Sequence, residues 1–268
     1  PDVDLYVDQI CDTTGCYYGN APRYFYDKGV RLFNLSMSFG PTTYPGGDKD
    51  VDSIMREYYR DLVSGGALFV WAAGNDGPED ISWMGTAPSR VDGLEKGWLM
   101  VAGVRLDNDG NVDGLWNTAS NDHSSNCGIA KDWCLVAPYQ IWVQGGDKMG
   151  YAYGTVKGTS FSAPIVTGVA ALTWGAYPWM SNRNVQQTVL TTATHLSNDA
   201  NNPTAEYIPG KVYTPNETYG WGMVNAERAV HGPGQFVGTF DANVGDYNSV
   251  FSNAISGSGS LLLNGTKN

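Results

Sequence analysis

From Gly158 to Asn182 the chain carries no charged residue, although the whole sequence of 268 residues holds 27 acidic and 16 basic side chains. A stretch of that kind is either a lipid span or a helix enclosed by protein on every side. Ser160, Ser162, Pro164, Thr167, Gly168, Thr173, Gly175 and Pro178 fall within it. So many polar and helix-weakening residues are unsuited to a helix that faces lipid. A helix that is uncharged all round sits instead at the centre of a large domain, and a chain of this length can build such a core. The formal charge of −11 leaves no broad basic surface, which argues against nucleic acid as a partner. With 34 glycines and 13 prolines, tight turns are expected throughout.

Around that run the pattern alternates strand and helix. Arg31 to Phe39 reads as a strand, and Gly40 to Gly47 as a Pro/Gly-rich loop. Val51, Ile54, Met55, Tyr58, Tyr59 and Leu62 fall on helical spacing behind Asp48 and Asp50, with Gly65-Gly66 as the stop. Ala67 to Ala73 and Trp98 to Val104 are continuous apolar runs of the kind covered on both faces, and Asp107 to Asn111 is a hairpin-type turn. A short strand is expected at Leu135 to Ala137. Helices are expected at about Ser160 to Ala176 and Asn182 to Thr194, and a last one opening near Met223 and ending by Gly232. The fold class is α/β, with a mostly parallel sheet and helices on both faces. From residue 233 to 268 helical periodicity stops, and Gly, Ser and Asn alternate with apolar residues. This tail reads as a β-rich attachment or the first turn of a repeat.

Four cysteines form two close pairs, Cys11 with Cys16 and Cys127 with Cys134. Both spacings exceed that of a zinc knuckle. They favour two local disulfides in an oxidising compartment. No secretory leader pattern occurs at the start of the chain, so an exported protein would carry its signal upstream of residue 1.

The segment Gly158-Thr159-Ser160-Phe161-Ser162-Ala163-Pro164 opens the uncharged helix. Gly158 permits close backbone approach, Ser160 sits at the positive end of the helix dipole, and Pro164 falls in the first turn. That suits a nucleophile, with backbone N–H groups aimed at a developing oxyanion. Taken alone, it equally suits a Ser/Thr helix cap. Gly74-Asn75 ends a buried strand and places an amide at the carboxyl edge of the sheet, where open α/β folds bind ligands. Asn75 reads either as a second oxyanion donor or as an Asx-turn residue before Asp76-Gly77.

Together these segments resemble the subtilisin-like serine peptidases. The resemblance rests on KGTSFSAPIVTGVAAL at 157–172, LFVWAAGNDG at 68–77, LSMSFG at 35–40, LVAP at 135–138 and YGWGMVNAERAV at 219–230. It implies an endopeptidase with Ser160 as nucleophile and Asn75 with the Ser160 N–H as oxyanion hole. It also implies that Ser38-Phe39-Gly40 and Ala72-Ala73-Gly74, with Thr159, flank the substrate peptide. Phe39 and the loop from Pro78 to Pro88 would shape the side-chain pocket. The loop from Cys127 to Cys134, PWM at 178–180, TTAT at 191–194 and GPGQFVGTFDANV at 232–244 resemble the peptidase passengers of Gram-negative autotransporters. In that group a β-helical stalk and a membrane barrel follow the peptidase. A secreted or cell-surface location, peptide substrates and a monomeric state go with that resemblance.

One part of the pattern is missing, because a serine hydroxyl needs a histidine base and an aspartate to orient it. The family carries both upstream of the serine, in D-[ST]-G-type and HGTHVAG-type motifs, and neither occurs here. Pro1 to Tyr6 resembles the strand that follows the histidine helix. The catalytic Asp and His are therefore expected in an upstream segment, and this chain alone is expected to be inactive and its sheet incomplete at the N-terminal side. His123, His195 and His231 have surface or helix-end explanations. Asp12-Thr13-Thr14-Gly15 mimics the aspartate motif in the wrong place. Asp48-x-Asp50-x-Asp52 and Asp107-x-Asp109-x-Asn111 lack the Gly and Glu of a calcium loop, so no cofactor or metal is expected. The alternative is a catalytically inactive, adhesive or scaffolding passenger. An α/β-hydrolase is disfavoured because Gly158-Thr-Ser160-Phe-Ser162 does not fit G-x-S-x-G.

Overall fold

The computed structural model describes residues 3–8, 11–12, 15–16, 21–38, 50–79, 81–117, 123–145 and 153–265. The first elements are the short antiparallel pair β1 (Cys11–Asp12) and β2 (Gly15–Cys16), followed by helix α1 (Ala21–Asp27). The backbone register sets Cys11 opposite Cys16, while their side chains lie outside the described residues. A five-stranded sheet follows, built from β3 (Leu32–Leu35), β4 (Leu68–Ala72), β5 (Trp98–Leu106), β6 (Val112–Leu115) and β7 (Cys134–Pro138). Strands β3, β4, β5 and β7 run parallel, and β6 is antiparallel to β5. The turn between β5 and β6 is fixed by the Asp107 carboxylate, which accepts from the N–H groups of Asp109 and Asn111.

The continuous apolar runs are strands buried on both faces. Leu68, Val70 and Ala72 point to one side, where helices α4 (Thr159–Ala176) and α5 (Asn182–Thr191) pack on them through Ala163, Val166, Val185 and Val189. Phe69 and Trp71 point to the other, into an aromatic core with Phe33, Tyr59 and Trp98. There Trp71 stacks on Trp98 with ring centroids 5.1 Å apart. The helix expected after Asp50 forms as α2 (Val51–Ile54), a π-helical stretch at Met55–Tyr59 and α3 (Arg60–Ser64). Asp50 caps it by accepting from Ser53 N at 2.8 Å, while Asp48 lies outside the described residues. Met55 and Tyr59 are both fully buried, in keeping with their helical spacing, and the π turn between them widens the helix locally.

Past β7 the chain makes an antiparallel hairpin, β8 (Gln140–Gln144) and β9 (Tyr153–Lys157), which leads directly into α4. Helix α5 stops at Thr191, earlier than expected. The threonines that follow turn back on it, Thr192 bonding Thr188 O through both N and Oγ1. The short pair β10 (His195–Leu196) and β11 (Ala205–Glu206) and the four-residue helix α6 (Ala226–Ala229) complete this layer.

The tail forms a parallel pair, β12 (Thr239–Gly245) with β13 (Ser260–Gly265). Like residues stack at a spacing of 21: Ser260 Oγ bonds Thr239 Oγ1 at 3.2 Å, and the Asn264 amide bonds that of Asn243 at 3.0 Å. Strand β12 also belongs to the main core, with Phe240 and Ala242 buried among the residues of α4 and α5. No helix among the described residues is long and apolar enough to cross a membrane.

Candidate active site

Gly158 N bonds Tyr139 O at the end of β7, and Gly158 adopts φ +136°, a conformation that side chains rarely allow. This turn delivers Ser160 as the second residue of α4. The helix-cap reading does not apply, because Gly158 occupies the cap position. Ser160 bonds across the sheet instead: its Oγ donates to Ser36 O at 3.2 Å, and Ser36 Oγ returns a bond to Ser160 O at 2.7 Å. This reciprocal tie fixes the turn against the end of β3. It was not visible in the sequence, where Ser36 is one of many serines.

The Asx-turn reading of Asn75 fails in the same way. Asn75 Oδ1 accepts from Thr159 N at 2.8 Å and from Thr159 Oγ1 at 3.0 Å. Thr159 Oγ1 also accepts from Gly74 N at 3.2 Å, and Thr159 is fully buried. With its oxygen engaged, the Asn75 amide presents Nδ2 to the turn. A methyl group built at Gly158 would lie 3.7 Å from Asn75 Nδ2 and 3.7 Å from Ser160 N. Two N–H donors from segments far apart in sequence thus converge on one small space. The Ser160 N–H is among the first helical donors, which have no acceptor within the helix.

Ser36 to Ser38 continue from the open edge of β3, while Phe39 and Gly40 lie outside the described residues. On the other flank the backbone is already engaged: Ala73 N bonds Val101 O, Ala73 O accepts from Ser82 N, and Gly74 O accepts from Ser125 N. Ala72 is paired within the sheet opposite Val101. The 72–74 segment is therefore a wall rather than a free strand edge, whereas Ser36–Ser38 lie past the open edge of β3, with Met37 N bonding Leu35 O and Ser36 O accepting from Ser160 Oγ.

The histidines take other places. His123 N lies 3.4 Å from Asn75 O, with its Nδ1 buried and unpartnered. His195 stacks on Tyr213 at 4.9 Å, and burial holds its imidazole below the ordinary histidine pKa, with Glu206 opposing and Lys211 assisting. His231 lies past α6. Among the described residues no imidazole or carboxylate bonds Ser160 Oγ, and no group of three or more metal-ligating side chains occurs. Cys127 and Cys134 form a disulfide around the turn Gly128–Trp133.

Beside Ser160 runs a groove of about 1020 Å³, lined by Leu5, Tyr6, Leu32 and Phe33 and by Pro164 and Gly168 of α4. The uncharged helix is therefore not enclosed on every side. Pro164, Gly168, Leu172 and Gly175 are exposed, and the outer edge of β3 has no strand partner among the described residues.

The sequence profile of the subtilase family, Peptidase_S8, matches residues 1–222. The chain belongs to the subtilase family. Among curated relatives of this subtilase, the neisserial autotransporter lipoprotein NalP of Neisseria meningitidis is 34% identical over 279 residues, covering 89% of this chain and 24% of that protein. Serotype-specific antigen 1 of Mannheimia haemolytica is 28% identical over 202 residues, covering 71% of this chain and 19% of that protein. Subtilisin E of Bacillus subtilis is 25% identical over 205 residues, covering 74% and 46%. The subtilase thus spans less than half the length of each of these relatives. Its fold is similar to that of the prenylagaramide maturation protease PagA, with a TM-score of 0.56 at 19% identity over 80% of this chain and 66% of the other. Family membership implies a serine peptidase, a hydrolase.

Proposed function

We propose that this chain carries the nucleophile and oxyanion portion of a secreted or cell-surface serine endopeptidase. The observation that carries the reading is the convergence of Asn75 Nδ2 and Ser160 N on the space beside Gly158, next to a serine that is not spent as a cap. Ser160 Oγ attacks the scissile carbonyl and forms an acyl-enzyme. Its proton passes to a histidine base, which hands it to the leaving amine as the peptide C–N bond breaks; water then hydrolyses the ester with the same base, and the two N–H groups stabilise the oxyanion in both steps. Ser36–Ser38 pair with the acyl half of the substrate as an added strand, and the 72–74 wall bounds its side-chain pocket.

The histidine and its aspartate come from a segment of the same polypeptide upstream of residue 1. That segment occupies the groove, adding a strand at the free edge of β3 and a helix against Pro164, Gly168 and Gly175 of α4. An uncharged helix with an exposed small-residue face supports this. Residues 239–265 are the entrance to a parallel β stalk, a reading supported by the stacking at 21 residues. The autotransporter named among the relatives and the extracellular serine protease of Serratia marcescens support the location.

Labelling the full-length protein with a fluorophosphonate tests the assignment. An adduct on Ser160 that is lost in Ser160→Ala is the expected result. A folded protein that takes no label is a binding passenger, not an enzyme.

A further inference from the structure

The hairpin β8–β9 runs straight into Gly158, and its burial alternates strictly along both strands. Ile141 and Val143 face the body. Gln140, Trp142 and Gln144 face out together with Tyr153, Thr155 and Lys157. In a chain of net charge −11, this outward face carries no acidic residue. It also displays Trp142 at 76% and Tyr153 at 68% exposure, which nothing in the packing of the fold requires.

Lys157 stands one residue before Gly158. Its Nζ rests over the Trp116 ring, 5.1 Å from the centroid, and Trp116 stacks on Tyr139 at 4.9 Å. Tyr139 is the residue whose carbonyl anchors Gly158. The ammonium is thus held in place beside the nucleophile turn. Lys131, Lys211, Arg90 and Arg105 each pair with a carboxylate, whereas Lys157 pairs with none among the described residues.

We propose that the outward face of this hairpin recognises the leaving-group half of a polypeptide substrate, taking an acidic side chain at Lys157 and an apolar or aromatic one at Trp142. The inference rests on the peptidase reading above. The acyl half is assigned to the Ser36–Ser38 edge, and the hairpin approaches Ser160 from the opposite flank, beyond β7. Lys157 is the cross-strand partner of Gln140, which makes Trp142 its diagonal neighbour, about 7 Å away. Side chains on one face of an extended peptide recur at about the same interval. The preferred leaving-group half therefore has an acidic residue followed two positions later by an apolar or aromatic one.

The test uses the full-length protein and three substrates sharing one acyl half: a peptide continuing Glu-Gly-Phe, a peptide continuing Lys-Gly-Phe, and a p-nitrophenyl ester. The Glu peptide should exceed the Lys peptide about fivefold in kcat/KM, the scale of an exposed ion pair set against a repulsion. Lys157→Glu should invert that order. Trp142→Ala should lower the ratio of Glu-peptide to ester turnover about tenfold, as for a truncated aromatic anchor. Equal rates on the two peptides, an order unchanged in Lys157→Glu, or a parallel loss on peptide and ester in Trp142→Ala would overturn the proposal. A wild-type protein that turns over the ester but neither peptide also overturns it while leaving the acyl site intact. Turnover of none of the three removes the peptidase reading and this inference with it.

Discussion

Replacing Thr159 by valine keeps the shape of the side chain and removes one hydroxyl from the centre of the site. That hydroxyl accepts from Gly74 N at 3.2 Å and lies 3.0 Å from Asn75 Oδ1. In the variant Gly74 N–H is buried with no acceptor, at a cost of about 1–3 kcal/mol. The Asn75 amide keeps its bond from Thr159 N but loses its second, worth about 1 kcal/mol. A total of about 2–4 kcal/mol, with a urea slope of about 3 kcal/mol/M for a chain of this size, moves the unfolding midpoint down by about 0.7–1.3 M. Thr159→Ser is the comparison: it loses a methyl group worth about 0.8 kcal/mol and keeps every hydrogen bond. Equilibrium unfolding followed by tryptophan fluorescence reads both. The valine variant should be the less stable of the two although it buries more carbon. If it equals or exceeds the serine variant in stability, the hydroxyl does not hold Asn75 and Gly74 as described.

Asn75→Ala in the full-length protein should lower kcat for a peptide about 10²–10³-fold with KM little changed, the signature of a group that acts in the transition state; steady-state kinetics reads the split. Removing the Cys127–Cys134 disulfide, with a sequence separation of 7, should cost about 2.5 kcal/mol in the loop-entropy account, visible as a fall in thermal midpoint that a reductant reproduces in the parent. Because burial holds His195 below its ordinary pKa, the unfolded chain binds a proton that the folded one refuses. The stability this confers is complete above about pH 6.5 and declines as the pH falls toward the folded pKa. His195→Phe, which keeps the ring against Tyr213, should flatten the loss of urea midpoint between pH 7.5 and pH 5.5; an unchanged slope would assign that loss to other groups.

The strands at Leu68–Ala72 and Trp98–Leu106 were legible because burial on both faces demands an unbroken apolar run, and the segment from Gly158 to Pro164 was legible as the opening of a helix, which on its own suits a cap as well as a reactive serine. The partners of Ser160 and Asn75 were not legible, since Ser36 and Thr159 are distant in sequence and their bonds arise only once β3, β4 and α4 are packed. The alternation Gln-Ile-Trp-Val-Gln at 140–144 carries a period of two, a signal only five residues long and therefore weak beside the long apolar runs. The repeat in the tail was also written there, in Thr239 and Ser260 and in Asn243 and Asn264 at a spacing of 21, with Gly245 and Gly265 at 20 beyond a register shift. It is faint because the spacing of 21 is matched only at the turn and ladder positions, while the intervening residues answer to different surroundings. The π-helical stretch at Met55–Tyr59 had no sequence signal, since the apolar spacing there is that of a regular helix.

Strand β12 belongs at once to the peptidase core and to the parallel pair, and this decides how the molecule bears load. Tension applied at Gly265 runs along β13 and reaches β12 through bonds lying across the pull, so the pair is loaded in shear, with its bonds sharing the force. From β12 the force passes into α5 through the amides of Asn184 and Gln187, which bond Asp241 O at 2.7 Å and Val237 O at 3.2 Å. Those two side chains are buried, so water does not readily compete for their bonds. The tail is in this sense a mooring, and the helix layer that carries Ser160 is what it is moored to.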